Sequence, residues 1–240
     1  MATAQPHVKL ASFKSSCKAE ACGKAVLIST AAHAAAAALL QAYEVMRQQR
    51  GRPRGMTTDA EQDLLRSMLV MAAAGLDATV KQLVEDALPQ LIPINAVAQN
   101  TFEKFVLRRI TAESSAKPGI EGLKLIAAAL SSPDPQRLLV REYVNELTAG
   151  SLQSVQSLYP VAAALGVLPN EIGLSDALQP IFKTRNMIIH ELDINLSARS
   201  RTRNVRSQTT MIRDTNRIFQ LMQTMILYVD KTLTEKSQKK

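Results

Sequence analysis

The stretch Leu64–Val84, LLRSMLVMAAAGLDATVKQLV, decides the fold. From Ser67 to Val80 it is apolar nearly all round, so a helix here must be covered on several sides. Ahead of it Thr58 and Glu61 have the spacing of a capping box, and Thr57-Thr58-Asp59 supplies N-caps. A long helix is therefore expected to begin here, to run to about Leu88, before Pro89, and to lie at the centre of a bundle or in a dimer seam. Asp77 falls inside the apolar run, and a carboxylate buried there needs a hydrogen bond or a cation. It is either a helix–helix tie or a polar member of an active cleft.

Composition agrees with an all-α chain. Hydrophobic residues make up 46% of the 240, enough for a real core, which excludes disorder of the whole chain. Aromatics are 4% and Trp is absent, while Ala, Leu and Met abound, a balance that favours helices over sheets. The net charge of +8 makes polyanions the expected partners. Cys17 and Cys22 stand in a polar leader and the three histidines are scattered at His7, His33 and His190, so no tetrahedral metal set and no cofactor motif is expected. Two cysteines make no disulfide framework, which fits a reducing cytoplasm. Lysines 9, 14, 18 and 24 precede the run Ala25–Leu40 and give it a superficial likeness to a signal peptide. The run is mostly Ala with His33 inside, and reads as an Ala-rich helix with no role in a membrane.

The chain divides into residues 1–56, a basic leader and the Ala-rich helix, and residues 57–240, a helical domain. Residues 1–18 lack periodicity and are expected to be mobile. Helix is expected from Ala19 to Gln49, ended by Arg50-Gly-Arg-Pro-Arg-Gly55. Beyond Pro93, Asn95 is placed to cap a helix reaching about Ser114, and Lys117-Pro-Gly119 turns the chain. A short segment over residues 120–130 and a loop at residues 131–135 come next; Asp134 and Pro135 suit N-cap and N1 of a helix to Ala149. Residues 151–165 make another, stopped by Gly166. After a loop at residues 168–174, Ser175 is placed to cap the next helix, and a closing helix spans Thr209 to Thr234. The unequal segments show no repeat period, and no helix-turn-helix stands out.

The penultimate helix carries the candidate chemistry, in Ile181–Asn195, IFKTRNMIIHELDIN. Leu178, Ile181, Phe182, Ile188, Ile189 and Leu192 recur at spacings of three and four, as in a helix packed on a core. Asn186 and His190 are four apart and share one face; Arg185 lies about 140° round from His190, a gap only a long side chain closes. Imidazole ordinarily titrates near neutrality and suits proton transfer, and a guanidinium grips phosphate through a bidentate fork. Arg185, Asn186 and His190 are the candidate catalytic set. Arg199, Arg201, Arg203 and Arg206 lie directly after, interleaved with Ser, Thr and Asn, and are candidate RNA-binding residues.

An Arg followed by a polar residue, three positions and a His, on a helix late in an all-helical chain, resembles the motif of the HEPN superfamily. Leu64–Val84 is similar to the early helix of its RiboL-PSP type, in which an apolar run leads into Leu-Asp, here Leu76-Asp77. The resemblance covers roughly residues 57–235. It implies a HEPN-like helical bundle with additional helices, forming a homodimer with the motif at the interface. It also implies metal-independent cleavage of RNA to a 2′,3′-cyclic phosphate end, as in a toxin or antiviral effector restrained by an inhibitory partner. Where family members often continue after the His with a Gly or polar turn, this chain has Glu191 and Asp193. A HEPN module that binds RNA or protein without cutting is the alternative. In that case Arg185 would pair with Glu191 or Asp193 and His190 would be a core residue.

Overall fold

A computed structural model describes residues 9–13, 16–51, 56–111, 120–168, 178–195, 197, 199 and 202–237. Among them the chain is all-α, with eight α-helices and one isolated β-bridge, Ile194 to Arg203. The helices are α1 (Gly23–Gln49), α2 (Asp59–Leu91), α3 (Ala96–Thr111), α4 (Ile120–Leu130), α5 (Pro135–Thr148), α6 (Val155–Ala164), α7 (Gln179–Glu191) and α8 (Gln208–Ser237).

The α2 helix is central, packed by α1 and α8 and also by α5, α6 and α7, but not covered all round: Ser67, Met71, Ala74 and Ala78 form one exposed stripe within the apolar run. Thr58 caps it through a complete capping box with Glu61. The helix runs past Pro89 to Leu91 instead of stopping at Leu88. Proline removes one backbone donor, and both Pro89 and Glu85, whose carbonyl loses that partner, are exposed to water that replaces it.

Contacts along α2 set the direction of its neighbours. Lys24 pairs with Asp86 at 3.2 Å and Arg47 with Glu61 at 3.3 Å, so α1 folds back antiparallel to α2. Gln62 bonds the backbone of Arg206, and Thr79 lies 3.6 Å from the Met222 sulfur, so α8 runs parallel to it. Met211, Ile212, Ile218, Phe219, Met222, Ile226 and Val229 of α8 all enter the core.

The two sides of the division at residue 56 share one core: α1 contributes Ala25, Ala32, Ala36, Leu40 and Tyr43 to the same cluster as α2. Its alanines permit a close approach, and at the crossing a Cβ added to Gly75 would lie 2.3 Å from the Ala32 Cβ. Gly75→Ala gains about 1 kcal/mol of helix propensity, but overpacking in a filled core costs about 1–3 kcal/mol. A net loss of stability in urea denaturation is expected, and a more stable variant would show that α1 is not seated against Gly75.

The leader is also tied down where it is described. Ala11 N–H donates to Asn216 at 2.9 Å, Lys18 and Ala19 N–H donate to Asp230, and Phe13 stacks on His33 beside Phe219. Helix at the end of the leader starts as a 3-10 turn, Glu20–Cys22, before α1. Both residues 20–49 and α2 are long and apolar enough to cross a membrane by length and composition; α2 is the core helix, and Leu27, Val45 and Met46 of α1 stay exposed.

Local signals elsewhere are met by expected bonds. Asn95 accepts from Val97 and Ala98 N–H, and Asp134 from Arg137 N–H with Pro135 behind it. Residues 151–154 are not helical, because Ser154 is itself the N-cap of α6, in a capping box with Ser157. Gly166 ends α6 at φ +76°, with Val167 N–H reaching back to the Ala162 carbonyl. The expected turn at Lys117-Pro-Gly119 and the cap at Ser175 lie outside the described residues.

Candidate active site on the penultimate helix

Pro180 stands in the first turn of α7, where its missing N–H costs nothing. Leu178, Ile181 and Phe182 are buried and Ile188 packs against the core. The apolar stripe breaks at its far end, with Ile189 38% and Leu192 64% exposed. Leu192 lies beyond the helix in the left-handed region, φ 51°, so it leaves the helical stripe altogether.

Asn186 and His190 share the outer face, as their spacing requires, and both are exposed. The His190 imidazole has no hydrogen bond or ion pair among the described residues, so the core-histidine arrangement does not form. Arg185 lies at the edge of the packed side, half-buried. Its Nη1 donates to the Asn186 Oδ1 at 3.0 Å, and its Nε is buried without a partner. Burial pulls the Arg185 guanidinium below its ordinary value while the Asp77 carboxylate pushes it back up. Asp77, half-buried on α2, accepts the Leu152 N–H at 2.6 Å and pairs with Lys81 at 3.1 Å. Asp77 is thus a tie between α2 and the turn before α6, and its charge also reaches Arg185.

The basic loop divides. Arg199 is exposed and Arg201 lies outside the described residues. Arg203 and Arg206, expected to contact RNA, are each tied to a carboxylate of the protein, with side chains 33% and 20% exposed. Arg203 grips Asp63, with Nη2 to Oδ1 at 2.6 Å, and its Nε donates to the Leu192 carbonyl at 3.1 Å. Arg206 Nε donates to Asp193 at 3.0 Å. Asp193, fully buried, also accepts Arg66 Nε at 2.8 Å and the Asn204 amide at 3.1 Å. A buried carboxylate draws in whatever cations the chain brings near it: the bridge between Ile194 and Arg203 brings Arg206, and the packing of α7 on α2 brings Arg66. Asp193 is therefore the partner of Arg66 and Arg206, not of Arg185, and of the two acids after His190 only Glu191 faces water.

Sequence reading passed over Arg66, Asp63 and Asn204. The signal for Arg66 was present: it is the one cation between Leu64 and Val80, and a cation there must find an anion.

This cluster sets an acid limit on the fold. Burial alone would raise the Asp193 carboxyl, but hydrogen bonds from Arg206, Arg66 and Asn204 outweigh it and hold the group below its ordinary value. Arg203 and Arg66 lower Asp63 likewise. A depressed native value means stability that is fully present above about pH 4, the unfolded value, and lost as pH falls through the native one. Thermal midpoints are expected to drop below about pH 4, and to drop less in Asp193→Asn. An equal acid response in that variant would assign the loss to other carboxylates.

Among the described residues no three His, Cys, Asp or Glu side chains gather as metal ligands. Comparison with family models, with curated proteins and with solved structures returns no match.

Proposed function

We propose that the protein is a metal-independent endoribonuclease of the HEPN kind, working as a homodimer on RNA in the cytoplasm. The observation that carries this reading is the exposed imidazole of His190, unbonded among the described residues and one helical turn from Asn186 of the Arg185–Asn186 pair. An imidazole takes the proton of a ribose 2′-hydroxyl, whose oxygen then attacks the adjacent phosphorus. The P–O5′ bond breaks, the 5′-oxygen leaves with a proton from a second acid, and a 2′,3′-cyclic phosphate remains. Arg185 stabilises the extra negative charge on the phosphorane, and Asn186 orients the imidazole or holds a phosphate oxygen.

One chain supplies one such histidine, and the reaction needs a base and an acid. A second copy supplies the other, and the exposed Ile189 and Leu192 flanking His190 provide apolar surface for that meeting. Arg199 and the net charge of +8 favour a polyanion at this face. Such an enzyme is a hazard to its own cell, which suits a toxin or antiviral effector held by an inhibitory partner. The test is labelled RNA incubated with the protein in EDTA beside His190→Ala.

The second reading, an interaction module without catalysis, is favoured by the exposed Leu27, Val45 and Met46 on α1. It requires purified dimer to leave RNA intact.

A further inference from the structure

In the last turn of α7 Ile188 packs against the core, but the helical residues after it have no such anchor. Ile189, His190 and Glu191 are all exposed, so the direction in which His190 points depends on the residues just past the helix end. These are Leu192 and Asp193, two consecutive residues at positive φ, 51° and 59°, without a glycine. Aspartate tolerates that conformation better than most L residues, but for Leu192 it is costly and persists where surrounding bonds support it. Here the bonds converge on Arg66. Its Nε holds the Asp193 carboxylate at 2.8 Å and its Nη2 holds the Asn204 carbonyl at 2.7 Å. Asn204 N–H closes on the Asp193 carbonyl at 2.8 Å, and Arg203 holds the Leu192 carbonyl. One side chain on α2, 3% exposed, thus clamps both limbs of the loop that ends the motif helix.

We propose that Arg66, acting through Asp193, is a positioning residue for His190. It fixes the exit of α7 and with it the bearing of the imidazole, while Arg203 and Arg206 serve the same clamp and do not carry RNA affinity. This rests on the ribonuclease reading for its consequence in catalysis, but not for its consequence in structure. Misplacing a catalytic group by about 1 Å costs on the order of 100-fold in rate, whereas losing a phosphate contact weakens binding and flattens its salt dependence.

The experiment uses the full chain carrying Arg66→Met, Arg66→Lys or Arg203→Ala. The ring resonances of its three histidines are recorded, His190 being assigned by its loss in His190→Ala. RNA cleavage is measured in parallel. In Arg66→Met the His190 ring resonance is expected to shift or broaden while that of His33 stays. The kcat is expected to fall at least about 10-fold with KM within about two-fold. Arg66→Lys keeps the charge without the fork and recovers only part. A folded Arg66→Met protein with an unchanged His190 resonance overturns the proposal, as does a raised KM at unchanged kcat. If Arg66→Met does not fold, Arg203→Ala, whose side chain is partly exposed, carries the same readings and an unchanged resonance there overturns it equally. Should the wild-type protein leave RNA intact, the ribonuclease reading fails alone, since the ring resonance still decides the positioning.

Discussion

His190→Ala is expected to slow RNA cleavage in EDTA by at least about 100-fold, the usual worth of a general acid or base. In a homodimer both copies lose the group, so base and acid go together and the loss should lie toward the upper end of the range. The same change should leave folding stability within about 0.5 kcal/mol, as for surface sites generally, because the imidazole is exposed and bonded to nothing among the described residues. The pairing of these two results matters. Loss of cleavage with an unchanged melt marks a group that acts on substrate; a lowered melt marks a structural histidine. Equal cleavage by both proteins ends the ribonuclease reading.

The second large effect belongs to stability. Asp193→Ala removes the anion between Arg66, 3% exposed, and Arg206, whose side chain is 20% exposed. Stripping one partner from a buried ion pair costs about 3–5 kcal/mol. Arg66 keeps Asp63 and the Asn204 carbonyl, and Arg206 has a route to solvent, which place the effect at the lower end. Alanine at a backbone φ of 59° adds to it, since aspartate tolerates that region better. Urea denaturation of the two proteins measures the difference. A change below about 0.5 kcal/mol, within the range of ordinary surface changes, would place the Asp193 carboxylate outside the protein instead of under its loop.

The main architecture was legible because it is written in local patterns. An apolar run of that length has to be covered on several sides, and α2 is, although small residues and Met71 leave one stripe of it open to water; Thr58 with Glu61, Asp134 with Pro135, and Gly166 each act within a few residues of themselves. The spacing of Asn186 and His190 gave their common face for the same reason. What escaped depends on partners far along the chain. Arg66 and Asp193 are 127 residues apart, and no periodicity joins them. Arg203 and Arg206 have the residue types and setting of a phosphate-binding loop, and only the fold reveals that Asp63 and Asp193 already hold them. Period alone also misjudged Leu192: the stripe assumes a continuing helix, and the left-handed residue ends it. Where Pro89 sits inside a helix, solvent near Glu85 decided the outcome, which sequence does not display.

The division of the arginines also bears on binding. With Arg203 held by Asp63 and Arg206 by Asp193, the described part of the loop leaves Arg199 for a phosphate backbone, and under the proposed function RNA would then depend more on its seating against α7.

The most direct measurement uses a DNA oligonucleotide with a single ribonucleotide, incubated in EDTA with the wild-type protein and with His190→Ala. The wild-type protein should cut only on the 3′ side of that ribose and leave a 2′,3′-cyclic phosphate, while His190→Ala leaves the strand whole. Scission of an all-deoxy strand, the same cut by both proteins, or an intact strand throughout would contradict the account.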